Sequence, residues 1–360
     1  MGPPHVRRPC PAPLPAGAAP CYERNRVDCL EDIPIVSPDA ATAAAPRPEF
    51  LGLGSFYKGT LAPWLEDHEG RRRRARRLRW LIFATAYPAL AAWLYYEIVT
   101  DGDGFWFGVI FFLALATIVL ANAALWRLQA DVKSFVMESL AGYFKFTYQA
   151  NPSFDGVDRF RDLDLLPYHS RASFEDGLKG EIKGVPFQMV EAKLTERRGT
   201  GKDAKTVTVF RGLLLSLPCE VTGPLAVWRR KKADRSFNDE WREVAVGDPL
   251  FDGTYVVHAP SPDVARRQLD AEARRVYAAL DQRDDVDNVR LGMSERTLMV
   301  VVERGSDSFE AGKMNRPLAD PDRIQAMVDL FAIPFDTVDG FKLQPPTPTP
   351  SDDADEEERP

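Results

Sequence analysis

The stretch Arg71-Arg-Arg-Arg-Ala-Arg-Arg-Leu-Arg-Trp-Leu-Ile-Phe-Ala-Thr-Ala-Tyr-Pro-Ala-Leu-Ala-Ala-Trp-Leu-Tyr-Tyr96 decides the architecture. Seven arginines lie between positions 71 and 79, and from Trp80 to Tyr96 no side chain carries a charge. Apolar character continues through Ile98 and Val99, and Thr100-Asp-Gly-Asp-Gly104 reads as a tight polar turn. From Phe105 to Trp126 charge is again absent, until Arg127 closes the run. At ~1.5 Å per residue, about 20 residues cover a hydrocarbon layer of ~30 Å. Trp80, Trp93, Tyr95, Tyr96, Trp106 and Trp126 fall near the ends of the runs, where aromatic rings favour membrane–water interfaces. The pattern predicts transmembrane helices over 80–99 and 105–126 rather than a buried hairpin in a soluble core.

Charge sets the expected orientation. The arginines precede the first span, Arg127 and Lys133 follow the second, and the turn between them has only Asp101 and Asp103. The positive-inside rule then places both termini in the cytoplasm. The same arginines sit where anionic headgroups lie, so lipid contact accompanies the topological role. Pro88 is a candidate kink in the first span. Glu97, three residues before the turn, is expected at the hydrated interface rather than in the hydrocarbon. Recurrent alanines in both spans permit close helix packing.

Outward from the spans, residues 1–48 hold eleven of the 29 prolines and read as a disordered Pro/Ala-rich head. Residues 49–79 form a juxtamembrane basic segment. Residues 127–150, with Val132, Phe135, Val136, Leu140 and Tyr143 near helical spacing, read as a connecting helix broken by Asn151-Pro152. Residues 151–343 form a cytoplasmic domain. From 344 to 360, five prolines and six acids predict a disordered acidic tail.

Within the domain, Val190, Ala192 and Leu194 alternate with Glu191, Lys193 and Thr195, the pattern of a half-buried strand. A polar loop from Arg197 to Lys205 leads to the apolar run Val207–Leu217, which completes a hairpin. Leu225–Trp228 is a further strand, and Val286–Met293 with Thr297–Glu303 form a pair around Ser294-Glu295-Arg296. Ser261-Pro262-Asp263 is a helix start, and Ala265, Leu269, Ala273, Val276 and Leu280 give that helix one apolar face. Asp320-Pro321-Asp322 opens a second amphipathic helix containing Ile324, Met327, Val328 and Phe331. The expected class is α+β: a two-helix transmembrane hairpin followed by a largely antiparallel sheet and two amphipathic helices.

Several separated blocks carry a family resemblance. They are Phe174-Glu-Asp-Gly-Leu-Lys-Gly180, Val185-Pro-Phe187 through Glu191-Ala-Lys-Leu194, Val209-Phe-Arg-Gly-Leu213 and Asp248-Pro-Leu-Phe251. Tyr255-Val-Val257, Ala265-Arg-Arg267 and Asn315-Arg-Pro-Leu-Ala-Asp-Pro321 follow in the same order. With the two preceding spans, they make the chain resemble the bacterial membrane proteins grouped as domain of unknown function 3137. The resemblance covers roughly residues 144–343 and implies this architecture and a bacterial inner-membrane location. It brings no catalytic residues, and the Pro/Ala-rich head departs from the usual family pattern.

Four cysteines, at 10, 21, 29 and 219, form no C-x-x-C pair and read as unpaired thiols. The first twenty residues lack the apolar core of a secretory signal, and Val6 stands where myristoylation needs Ser or Thr. Gly199-Thr-Gly-Lys202 has the wrong spacing for a phosphate loop and reads as a hairpin turn. Asp284, Asp285 and Asp287 lack calcium-loop spacing. His169 and His258 have no accompanying nucleophile motif. No catalytic residue, cofactor or metal is assigned.

Arg229, Arg230, Lys231 and Lys232 form a second basic patch, flanked by Trp228, Phe237 and Trp241, with Arg235 nearby. These four cations are the candidate contact for anionic lipid. A net charge of −7 argues against a general nucleic-acid binder, and no nucleic-acid partner is expected. The sequence therefore points to a membrane-anchored cytoplasmic binding or scaffold module whose partners are the lipid bilayer and either a protein or an anionic lipid. The alternative is a membrane-tethered enzyme, of hydrolase type, with a site assembled from distant residues.

Overall fold

A computed structural model of the chain describes residues 47–100, 105–199, 201, 204–220, 223–230, 241–305, 308–309 and 314–346. The turn between the spans, almost all of the Pro/Ala-rich head and most of the acidic tail lie outside these residues.

A short turn at Pro48–Phe50 leads into α1 (Leu53–Phe56), a π-helical turn (Tyr57–Leu61) and α2 (Ala62–Val99). The arginine run and the first apolar run thus share one helix, which continues through Pro88. The second long helix, α3 (Phe105–Tyr143), likewise extends beyond its apolar part. Both are long and apolar enough to cross a membrane, yet only 6% and 17% of their most apolar windows are buried. Trp80, Leu81, Phe105, Phe111, Phe112 and Leu120 are all more than 60% exposed. Soluble core helices bury such faces; these leave them open.

The helix expected to run to Ala150 ends at Tyr143 instead. Lys145 adopts φ 60°, the Phe146 N–H reaches the Ala141 carbonyl at 2.7 Å, and the Lys145 N–H reaches Gly142 at 3.2 Å. This paired closure is a Schellman motif, made here with Lys at the left-handed position. Spacing alone missed it because neither Gly nor Pro marks the stop. The chain then enters β1 (Thr147–Gln149), followed by α4 (Val157–Asp162).

The next strands are β2 (Arg171–Ile182), β3 (Val185–Arg198), β4 (Lys205–Pro218) and β5 (Leu225–Arg229). After β6 (Arg242–Val244) come α5 (Pro249–Thr254), β7 (Tyr255–Ala259), α6 (Pro262–Gln268) and α7 (Ala271–Asp281). The elements close with β8 (Asn288–Ser294), β9 (Thr297–Glu303) and α8 (Pro321–Gly340). Among the described residues nine strands form one sheet, ordered β1-β2-β3-β4-β9-β8-β5-β7-β6, and their pairings are antiparallel. The fold is α+β, as the sequence pattern predicts. Where one amphipathic helix is expected from Ser261 to Leu280, there are two. Asp270 accepts from the Glu272 and Ala273 N–H groups and starts α7 afresh.

Alternation along β3 sends its buried residues to both faces of the sheet. Val190, Ala192 and Leu194 join Phe154, Phe160, Leu165, Phe210 and Trp228 in a core against one face of the sheet. Phe187 has the opposite parity. It meets Phe146, which also packs with Phe331 and Phe335 of α8. Phe144 joins the same cluster just after α3, and Phe50 reaches it from before α1. The long helices are therefore built into the domain's core rather than joined to it by a loose linker.

Candidate functional site

Of the four candidate lipid-contacting cations, Arg229 and Arg230 are described; Lys231 and Lys232 lie outside the described residues. Arg229 serves the fold. Its Nε donates to Asp281 Oδ2 and its Nη2 to the Asp281 carbonyl, each at 2.9 Å. The same carboxylate accepts from the Tyr255 hydroxyl at 3.0 Å and the Val289 N–H at 3.2 Å. Burial and the Asp281 charge push the Tyr255 phenol up, so it remains a donor. Arg230 pairs with Glu243 at 2.9 Å and donates to the Asp252 carbonyl at 2.8 Å. Trp228, read from sequence as flanking a surface patch, is instead 5% exposed and packs in the core. On β5 it joins the cluster of Phe154, Phe160 and Leu165 that covers one face of the sheet.

The other sequence candidates are not brought together. His169 Nδ1 pairs with the Pro167 carbonyl ahead of β2, whereas His258 lies on β7 with its ring edge against Trp228. Burial lowers the His258 pKa, partly offset by Glu243, which keeps the ring neutral near pH 7. Gly199 and Gly201, at φ 85° and 64°, lie in the β3–β4 connection. Asp285 pairs with Arg304 and Arg283. Among the described residues, no three His, Cys, Asp or Glu side chains are grouped to hold a metal ion. Cys219 is buried, and loss of solvation pushes its thiol up to about 12 despite the opposing charge of Arg296.

A different constellation forms where the basic part of α2 meets the segment before α8. Glu69 accepts from Arg72 Nε at 2.8 Å, Arg73 Nε at 3.1 Å and the Leu318 N–H at 3.2 Å. Burial by itself raises the Glu69 carboxyl, but these hydrogen bonds and the Arg72 charge outweigh it and hold the group down to about 2. Arg72, 5% exposed, donates to the Met314 carbonyl at 2.9 Å. Arg76 donates to the Asn315 carbonyl at 3.1 Å, and the Tyr57 hydroxyl to Ala319 at 3.3 Å. On the α3 side, Trp64 stacks on Phe135 with centroids 4.0 Å apart. These contacts fix the rotation of α2 relative to the domain.

With that rotation fixed, one face of α2 lines a groove of about 610 Å³. Its walls are Arg73, Arg76, Arg77, Trp80, Leu81 and Ala84. Relative to Arg73 these fall at steps 3, 4, 7, 8 and 11, a single helical stripe. The stripe is basic at one end and apolar at the other. Sequence reading took the arginines together as a topological signal and did not resolve this spacing, although it is present in the primary structure. The division between buried Arg72 and groove-lining Arg73, by contrast, depends on Met314 and Leu318, more than 240 residues away.

No protein-family model matches the chain, and no curated protein matches it. Among solved structures, the chain is similar to the crystal structure of the mycobacterial trehalose monomycolate transport factor A, TtfA. The identity is 16% and the TM-score 0.31, over 61% of this chain and 98% of that one. At this TM-score the likeness carries no inference about function.

Proposed function

We propose that the chain is a two-span, membrane-anchored binding or scaffold module of the bacterial inner membrane, with both termini and the nine-stranded sheet on the cytoplasmic side. The carrying observation is that α2 and α3 expose their apolar parts while their other ends enter the domain core. Such exposed apolar surface calls for hydrocarbon around it. The rigid junction holds the sheet at a set height and angle to the bilayer, as presenting a surface to a partner beside the membrane requires. In the Arg229–Lys232 segment, Arg229 is tied to Asp281 and Arg230 to Glu243, so the charge proposed for anionic lipid falls to Lys231 and Lys232. The resemblance to the family of domain of unknown function 3137 supports this reading.

Reporter fusions test it. Fusions at residues 60 and 340 are expected to be active in the cytoplasm, and one within residues 101–104 in the periplasm. A periplasmic signal from the residue 340 fusion overturns the topology.

A further inference from the structure

We propose that the groove lined by Arg73, Arg76, Arg77, Trp80, Leu81 and Ala84 is a binding site for one anionic glycerophospholipid of the inner leaflet. The inference rests on the membrane reading above and names a ligand for the junction between anchor and domain. Three guanidinium groups match a phosphate: each is permanently charged and presents a planar fork of donors. Among the described residues Arg77 has no ion-pair partner, and Arg73 shares Glu69 with Arg72. Beyond the arginines the same stripe becomes apolar, with Trp80 and Leu81 each 62% exposed. An acyl chain leaving the headgroup follows the helix in that direction. From Arg73 to Ala84 the stripe is about 16 Å long, enough to pass from headgroup level into hydrocarbon. A free phosphate would use only the basic end.

The site differs from general attraction between cations and a bilayer. Arg71, Arg74 and Arg79 belong to the same run but do not line the groove. The bonds from Arg72 to Met314 and from Arg76 to Asn315 prevent α2 from turning these residues into it. The lipid therefore meets a face chosen by the folded domain.

The test uses the full chain purified in mild detergent and native mass spectrometry with phosphatidylglycerol or phosphatidylcholine. One phosphatidylglycerol per chain is expected to stay bound under conditions that strip phosphatidylcholine. Arg73→Gln with Arg77→Gln is expected to weaken retention roughly 30-fold, each cation being worth about fivefold near an anionic lipid. Arg76 is left intact because it holds Asn315. The charge-matched pair Arg71→Gln and Arg74→Gln is expected to change retention less than about threefold if only the groove matters. Ala84→Trp keeps every charge and fills the apolar floor, so it too should expel the lipid. Equal losses in the two double variants overturn the proposal, as does equal retention of the two lipids. Unchanged retention in Ala84→Trp, or displacement by an equal concentration of glycerol 3-phosphate, overturns the lipid assignment. Carbonate extraction of cell membranes separates this from the anchor reading: an extracted chain defeats the anchor, whereas a retained chain without selective lipid defeats only the groove.

Discussion

Lys133 of α3 donates to the carboxylate of Asp176 at 2.5 Å, across 43 residues of chain. Asp176 is the bulge residue of β2, at φ 49° between Glu175 and Gly177 in the register. The bulge turns its side chain toward both Lys133 and the Tyr148 hydroxyl. One irregularity in a strand thereby attaches the sheet to the long helix.

Asp176 is 2% exposed, so removing its charge breaks a buried ion pair with Lys133. Asp176→Asn is expected to destabilise the protein by about 3 kcal/mol, the usual cost of breaking a buried pair. Thermal unfolding in detergent, combined with Lys133→Met in a double-mutant cycle, gives the coupling. A coupling near zero would remove this contact from the account of the junction.

Glu69 predicts an acid-sensitive junction. Its folded carboxyl lies near 2, below the ordinary 4.5, so the unfolded chain binds the proton more readily. The stabilisation is fully present above about pH 4.5 and is lost as pH falls toward 2. Glu69→Gln should be less stable than the parent at pH 7, by about 3 kcal/mol, and the gap should close toward pH 2. Parallel unfolding curves at all pH values would contradict this assignment.

Two glycines separate steric need from helix propensity. A Cβ on Gly212 would lie 2.1 Å from the Val302 carbonyl oxygen, a backbone atom of the neighbouring strand. Gly253 in α5 has open space around it. Gly212→Ala should cost at least about 2 kcal/mol by forcing β4 from β9. Gly253→Ala should be neutral or stabilise by up to ~1 kcal/mol. Chemical denaturation of both variants reverses the argument if Gly212→Ala is the milder change.

Cys219 should resist alkylation. With its thiol near 12 instead of 9, the thiolate fraction at pH 8 falls about 1,000-fold. In a variant with Ser at positions 10, 21 and 29, iodoacetamide should modify Cys219 rapidly only after denaturation. Labelling of the folded protein at the rate of a free thiol would show that the residue is accessible.

The two long apolar helices, the β3–β4 hairpin and the β8–β9 pair were legible because each is written in one local period. The turn between β8 and β9 could also be placed: Glu295 and Arg296 take the left-handed conformations a two-residue hairpin needs. Local reading failed where distant residues decide. It placed Trp228 beside a surface patch because Arg229 and Arg230 adjoin it, while the cluster with Phe154, Phe160 and Leu165 puts it in the core. It also could not separate Arg72 from its neighbours. Four consecutive arginines look alike until Met314 and Leu318 select one for burial and leave the next for the groove.

The bond between Arg72 and Met314 also orders events in time. The two residues are 242 positions apart, which at ~5–20 residues per second means roughly 12–50 s of synthesis. On the topology proposed above, every arginine of the run is available as a topological charge while the two apolar helices enter the bilayer, Arg72 being held only by nearby Glu69. Only when the last helix emerges can Arg72 leave that duty and become an interior residue. On that reading the same side chain first helps to orient the chain and afterwards ties α2 to the finished domain. On the same reading, a nascent chain truncated before Met314 inserts in the same orientation yet lacks the Met314 carbonyl that receives this cation.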